Sequence, residues 1–294
     1  MTLLVRPMRA EDLPSCEGIT RTAYYEVDRA SYQRSWPDPA PRSEAGSADW
    51  LAKSRHKLST DPGGCWVAEE DGVVVGLTTS LRRELMWILC SFAVAPHAQG
   101  RGLGTLLLDA ATHYGDGCLR GMFVASQDQG ALHRYRKAGF DLHPQMVLWG
   151  SVSRALLPAV PHVREGTAGD RDLCDSLDRR TRGAAHGPDH ALLAQQFRLL
   201  VMDHGVGQGY AYVSRTGGVQ CLAADSRRAA LALLWESLAA SDPDIPVEIP
   251  RVTAANQWAL DVATAARLEI HTRNFLATRH LKPPAPYIPH STFL

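Results

Sequence analysis

The chain has no charge of one sign to spare: Lys and Arg number 31, Asp and Glu number 31, and the formal net charge is zero. Nucleic-acid binding leans on clustered Lys and Arg, so no nucleic-acid partner is expected. No uninterrupted apolar stretch approaches the roughly 20 residues that cross a bilayer. The start, Met-Thr-Leu-Leu-Val-Arg-Pro, lacks the apolar core of a secretory signal. Membrane association and export are therefore not expected. Six cysteines (Cys16, Cys65, Cys90, Cys118, Cys174 and Cys221) show no CxxC pairing, and most sit in apolar surroundings. They read as small core residues of a cytoplasmic protein, not as a disulfide frame or a zinc site. Neither HExxH nor G-x-S-x-G occurs among the 294 residues. His186 and His190 have i, i+4 spacing, but Gly187-Pro188 between them breaks the helix that would align them. No metal site is expected.

What is present centres on Leu89-Cys-Ser-Phe-Ala-Val-Ala-Pro-His-Ala-Gln-Gly-Arg-Gly-Leu-Gly104. Phe92 and Val94 favour a buried strand, and Pro96, without an N–H, ends it. Gly100, Gly102 and Gly104 follow at alternate positions, tolerating positive φ and close backbone approach. Leu103, Leu106, Leu107, Ala110 and Ala111 then recur at helical spacing. The loop thus opens onto a helix N-terminus, where N–H groups and the dipole favour a phosphate, and Arg101 can add charge. A dinucleotide fingerprint needs G-x-G-x-x-G and a later acidic residue. Here the third glycine comes one residue early, and the next strand, Met122 to Ala125, is apolar. A P-loop needs Gly-Lys-Ser/Thr, and the loop has no lysine.

Gln99-Gly-Arg-Gly-Leu-Gly104 instead resembles the Q/R-x-x-G-x-G/A pyrophosphate loop of the GNAT acetyltransferase superfamily. Downstream, Ala131, Tyr135, Gly139 and Phe140 match that family's N-x-x-A-x-x-x-Y-x-x-x-G-F element, with Asp128 where asparagine is usual. The resemblance implies an α+β (α/β layered) fold of two tandem domains, each a mixed, splayed central sheet flanked by helices. It also implies acetyl-CoA as cofactor, contacted by Phe92, Ala93, Val94, Gln99, Gly100, Arg101, Gly102, Leu103, Gly104, Thr105, Asp128 and Tyr135.

Leu3 to Arg9 reads as a first strand, followed by a helix that Asp12 can cap, with Pro14 harmless in its first turn. Tyr24 to Gly46, rich in aromatics and proline, is either a substrate-shaping segment or an irregular surface loop. Ala48 to Leu58 reads as a helix. Cys65–Glu69 and Val73–Thr79 flank the turn Glu70-Asp-Gly72 as strands, a further strand begins near Leu85, and Gln145 to Trp149 closes the first half. The expected division is an acetyl-CoA-binding catalytic domain at 1–150, a linker at 151–160 and a degenerate GNAT-like domain at 161–294. In the second half, Arg164 and Gly169-Asp-Arg-Asp-Leu echo Arg6 and Arg9-Ala-Glu-Asp-Leu, but Ala223-Ala-Asp-Ser-Arg-Arg-Ala stands where a glycine loop belongs. Pairing two like folds in one chain would mimic a dimer. The tail, with Pro283, Pro284, Pro286 and Pro289, is stiff and extended; it either docks through Tyr287, Ile288, Phe293 and Leu294 or is disordered.

The chemistry that the resemblance implies is direct attack of a primary amine of a small molecule on the acetyl thioester. Tyr135 is then the acid for the departing thiolate, and a backbone N–H near Val94 the oxyanion donor. The base is open. The family's strand glutamate corresponds to Ile88; Glu84 is a candidate, or a solvated hairpin residue, Ser91 could support a water chain, and Glu26 and Asp28 are candidates from the substrate side. Tyr24, Tyr25 and Trp36, with Tyr287 and Phe293 of the tail, are expected to shape the acceptor site. A different class of function, a non-catalytic acetyl-CoA-binding sensor or interaction module, would share the same loop.

Overall fold

The computed structural model describes residues 3–30 and 38–294, which divide by internal contacts into two units. The first is Met1–Gly121 with Ser126–Ala138, the second Met122–Ala125 with Gly139–Leu294.

In chain order the first unit holds β1 (Leu3–Pro7), α1 (Leu13–Ala30), α2 (Glu44–Thr60), β2 (Cys65–Glu70), β3 (Val73–Arg83), β4 (Met86–Val94) and α3 (Leu103–Tyr114). After β5 (Arg120–Ala125) it regains the chain for α4 (Gln129–Lys137). Strands β1-β2-β3-β4 are consecutive antiparallel neighbours. Asp12 starts α1 by accepting from the Arg9 N–H at 2.6 Å and from both Arg6 terminal nitrogens at 2.9 Å. On one sheet face α1 and α2 cover Val67, Leu77 and Ala93; on the other, Leu103 and Leu107 of α3 meet Ala68 and Val75. In β4 the pairing slips: Thr79 faces Ser91 while Ser80 faces Leu89, so Cys90 is an extra, bulged residue. Beyond the bulge Ser91 and Ala93 face α1 and α2, and Phe92 and Val94 face α3.

The second unit contains most of β5, then β6 (Asp141–Gly150), β7 (Val163–Glu165), α5 (Arg171–Thr181), α6 (Asp189–Gln196), β8 (Arg198–His204), β9 (Gly207–Val213) and β10 (Val219–Ala224). α7 (Arg227–Ala239), β11 (Val247–Thr253), α8 (Gln257–Ala266), β12 (Glu269–Arg279) and β13 (Tyr287–Ile288) complete it. One sheet segment runs β5-β12-β6-β11 and the other sheet β13-β10-β9-β8-β7. Strand β6 is thus paired on both edges by strands of the second half, Leu148 with Ile270 and Ile249. This non-local pairing draws residues 139–150 into the second unit, where sequence reading expects them to close the first domain. Leu148, Leu200, Leu233, Val252 and Trp258 lie in one core cluster there.

Of the two expectations for the tail, docking is what the structure has. Ile288 pairs with Leu222, Asn256 holds the Pro284 carbonyl at 3.0 Å and the Tyr287 N–H at 2.9 Å, and Arg251 holds the Pro289 carbonyl at 2.7 Å. Arg182, fully buried, donates to the carbonyls of Phe293 and Leu294.

Candidate active site

The glycine loop and its surroundings form a cleft of about 200 Å³ within the first unit. Its walls are Ala23, Tyr24 and Val27 of α1, Phe92, Ala93 and Val94 of β4, Gln99, Gly100 and Gly102 of the loop, and Leu103 and Gly104 of α3. Ser126, Asp128, Ala131, Arg134 and Tyr135 close the remaining side.

Gly100 and Gly102 adopt φ of 76° and 83°, a left-handed conformation that explains glycine at both places. Gly102 is the N-cap of α3 and offers no side-chain oxygen to its first turn, whose N–H groups have no intrahelical partner; Gly102, Leu103 and Gly104 line the cleft. At Gly104 a Cβ would lie 3.3 Å from the Phe92 ring and 3.5 Å from the Arg134 guanidinium. That close approach brings the helix start against the cationic end of Arg134. Backbone donors, a helix dipole and Arg134 together suit a pyrophosphate, and acetyl-CoA fits this donor set. The equivalent place in the second unit is different: Ser226 caps α7, its Oγ accepting from the Ala229 N–H at 3.3 Å. There the helix start is satisfied by its own chain.

On β4, the Ala95 N–H donates to the Val75 carbonyl at 2.8 Å. Gly76 and Val94 are therefore a non-hydrogen-bonded pair, and the Val94 N–H turns away from β3. Gln99 fixes the strand end by donating to the Val94 carbonyl at 3.0 Å. Tyr135 is 5% exposed and meets Phe92 edge-on, centroids 6.2 Å apart. Burial, with smaller pushes from Tyr24 and Asp128, raises its phenol well above the ordinary value, so it is protonated across the physiological range.

Several expected contacts fall elsewhere. Arg101 is engaged by Glu70 at 3.0 Å and is not in the cleft lining, so its charge is already neutralised. Thr105 lines an adjoining hollow, with His133 and Lys137, that shares Gly130 and Arg134 with the cleft. The Asp128 carboxylate caps α4, accepting from the Ala131 N–H at 2.7 Å. Glu84 cannot act as the base: it sits exposed, φ 53°, in the β3–β4 turn, at the far end of β4 from Val94. At about 3.3 Å per residue that is about 30 Å away. Tyr25, Glu26 and Asp28 are on α1 but outside the lining, whereas Tyr24 is within it. Tyr287 and Phe293 are fully buried within the second unit, packing as core rather than offering an acceptor wall. Trp36 lies outside the described residues. Arg134 and Ser126 line the cleft although sequence reading singled out neither; the period of α4 could have found Arg134, one residue before Tyr135.

The histidines also need correction. The Gly187-Pro188 break does not separate His186 and His190; their rings are 5.2 Å apart in the second unit. His186 Nδ1 lies 2.7 Å and His190 Nε2 3.2 Å from Asp178 Oδ2, and the Tyr210 hydroxyl donates to Asp178 Oδ1 at 2.5 Å. All four are buried. Asp178, His186 and His190 thus offer ligand atoms within 4.8 Å of one another, a spacing that suits a metal ion and that sequence reading did not expect; Asp178 also acts on the buried Arg182 guanidinium.

Residues 21–140 match the model of the acetyltransferase (GNAT) family. A mycothiol acetyltransferase of Tsukamurella paurometabola is 31% identical over 147 residues, 44% of this chain and 47% of that protein, so the match spans about half of that relative. Among solved structures, a putative acetyltransferase from Pyrococcus horikoshii superposes with a TM-score of 0.71 at 19% identity, over 99% of this chain and 95% of that one. A tandem GNAT protein from the clavulanic acid biosynthesis pathway gives 0.54 at 16% identity, over 94% and 98%. No helix among the described residues is long and apolar enough to cross a membrane. The match places residues 21–140 in the acetyltransferase (GNAT) family's sequence pattern, and the two-unit α+β architecture is the fold shared with a tandem GNAT protein.

Proposed function

We propose that the protein is an acetyl-CoA-dependent N-acetyltransferase that transfers the acetyl group to a primary amine of a small molecule in the first unit's cleft. The observation that carries this reading is the joining of two features in one cleft. A glycine-capped helix start suited to pyrophosphate and a buried, protonated tyrosine share its walls. Acetyl-CoA supplies the activated thioester. The backbone of Gly100 to Gly104, with Arg134, holds the pyrophosphate. The Val94 N–H, turned away from β3, is the donor for the carbonyl oxygen on which charge develops. Tyr135 donates its proton to the departing sulfur. Tyr24, on the α1 wall, faces the incoming amine.

The second unit, with Ser226 closing its helix start, is the degenerate partner and binds no acetyl-CoA. The name of the mycothiol enzyme belongs to a relative matched over half its length, and the acceptor here is assigned only as a small primary amine. A non-catalytic acetyl-CoA-binding module is the second reading, favoured by one observation: Glu84 lies in the distant turn and Ile88 stands at the family's base position. Mixing the protein with acetyl-CoA and a panel of small amines, with release of the coenzyme A thiol as readout, separates the two. The acetyltransferase releases thiol in step with acetylated amine; the module binds and releases none.

A further inference from the structure

The first unit buries a lysine that has no carboxylate. Lys57, on α2, is 1% exposed, and among the described residues no carboxylate lies within ion-pair distance of its ammonium. Its Nζ instead lies 3.1 Å from Thr79 Oγ1 and 3.4 Å from Ser91 Oγ, with the Trp50 ring 5.7 Å away. Thr79 and Ser91 are cross-strand partners on β3 and β4, so the two hydroxyls form one platform under the amine. An unpaired ammonium in such a place is disfavoured against the neutral amine, and burial lowers the Lys57 pKa. The other titratable groups that bear on it are Lys53 of its own helix, Cys16 of α1, Cys65 of β2 and Cys90 of β4. Lys53 opposes protonation. Burial raises the Cys16 and Cys65 thiols and holds them protonated. Asp61, at the end of α2, is taken by Arg83 at 2.8 Å and by Tyr114 at 3.1 Å.

The platform leads to the cleft. Ser91 faces α1 beyond the bulge, and its hydroxyl, with the Phe92 backbone, acts on the Tyr24 phenol of that helix. Tyr24 lines the cleft together with Tyr135. The exchangeable protons of Tyr24, Ser91 and Lys57 thus follow one another from the cleft into the unit's interior.

We propose that Lys57 is the terminal proton acceptor of acetyl transfer, reached from the substrate amine through the hydroxyls of Tyr24 and Ser91. As the C–N bond forms and the C–S bond breaks, the amine proton passes to the Tyr24 oxygen. The Tyr24 proton passes to Ser91 and the Ser91 proton to Lys57, which becomes an ammonium. The leaving sulfur takes its proton from Tyr135. Lys57 then returns its proton along the same path and Tyr135 is reprotonated, so the net reaction is amine plus thioester to amide plus thiol. The relay fills the place left by Ile88 and rests on the acetyltransferase reading above. Lys57 acts through the two hydroxyls and does not touch substrate.

Two measurements test it. The first needs no turnover: the Lys57 side-chain resonances, assigned by their loss in Lys57→Met, are followed by NMR against pH. The relay predicts a midpoint below the ordinary lysine value; a midpoint at or above that value overturns it. The second is the pH profile of kcat/KM. In wild type the rate climbs with pH as Lys57 loses its proton. In Lys57→Met it falls by about 10²–10⁴-fold and that climb disappears, while the Kd for acetyl-CoA is unchanged. Tyr24→Phe loses the same limb, the double variant is no worse than the weaker single one, and Ser91→Thr restores what Ser91→Ala loses. A merely structural Lys57 would leave the profile's shape intact, and an unchanged limb in Lys57→Met overturns the proposal. A wild type that turns over while Lys57→Met keeps its profile refutes the relay alone. A wild type that binds acetyl-CoA yet acetylates no amine refutes the acetyltransferase reading and the relay with it.

Discussion

At the scale of single residues, Tyr135 and Gly102 carry the account. Tyr135→Phe removes the proton donor but leaves the ring against Phe92, so kcat should drop by about 10²–10⁴-fold with little change in acetyl-CoA affinity. Stopped-flow thiol release and calorimetry check the two halves of that statement. Gly102 has open space where a Cβ would go, yet its φ is 83°. Gly102→Ala should therefore act through backbone strain, about 1–2 kcal/mol, and Gly102→Asp should add a carboxylate facing the pyrophosphate. Calorimetry should find the Asp variant much the weaker binder of the two. Equal affinities would mean that charge at this position does not matter. These two residues were legible because their chemistry is local: a glycine loop opening onto a helix, and a tyrosine in register with Ala131 and Gly139. Lys57 was not, since a lysine on an amphipathic helix reads as solvated. What buries it is a pair of hydroxyls on β3 and β4 that are far away in sequence. The 84–94 separation shows the limit from the other side. Glu84 reads in sequence either as a base or as a solvated hairpin residue, and the exposed turn it occupies is that of the second.

At the scale of elements, α2 presents an unusual face: its fully buried residues are Ser54 and Lys57, both polar. Because the folded pKa of Lys57 is lowered from 10.5 by burial, the unfolded chain binds the proton more tightly. The stability linked to Lys57 is then complete above pH ~10.5 and declines as pH falls through the lowered value. Lys57→Met should accordingly raise the Tm at neutral pH while abolishing the rise in rate with pH. A Tm lowered at every pH would show that the amine packs better than it ionises. The start of α7 is ordinary by comparison. Ser226→Ala should cost about 0.5–2 kcal/mol of stability, read by denaturant unfolding, and leave acetyl-CoA binding untouched. Strand identity was mostly readable from β-branched and aromatic runs. The insertion of β12 between β5 and β6 was not, because pairing partners so distant in sequence leave no local signature.

At the scale of the whole chain, the repeated plan is visible in the echo of Arg6 and Asp12 by Arg164 and Asp170, two pairs that make the same bidentate contact. The echo stops at the glycine loop, so one acetyl-CoA should bind per chain, and calorimetry finding two equivalent sites would contradict the degenerate second unit. That unit uses its buried charges to hold the tail: Asp178 faces Arg182, and Arg182 holds the last two carbonyls. Asp178→Asn would remove the charge that His186 and the Tyr210 hydroxyl hold, a loss of about 1–3 kcal/mol to be read in thermal unfolding. His186 and His190 escape sequence reasoning because Gly187-Pro188 breaks the helix between them, while the turn it makes brings both rings to Asp178. The central claim, acetyl transfer to an amine in the first unit's cleft, is tested most directly by one measurement. Wild type and Tyr135→Phe are incubated with acetyl-CoA and the amine panel, and thiol release and acetylated amine are quantified together. The account predicts equal amounts of both products from wild type and a loss of about 10²–10⁴-fold in Tyr135→Phe. Thiol release without any acetylated amine, or equal rates in the two proteins, would contradict it.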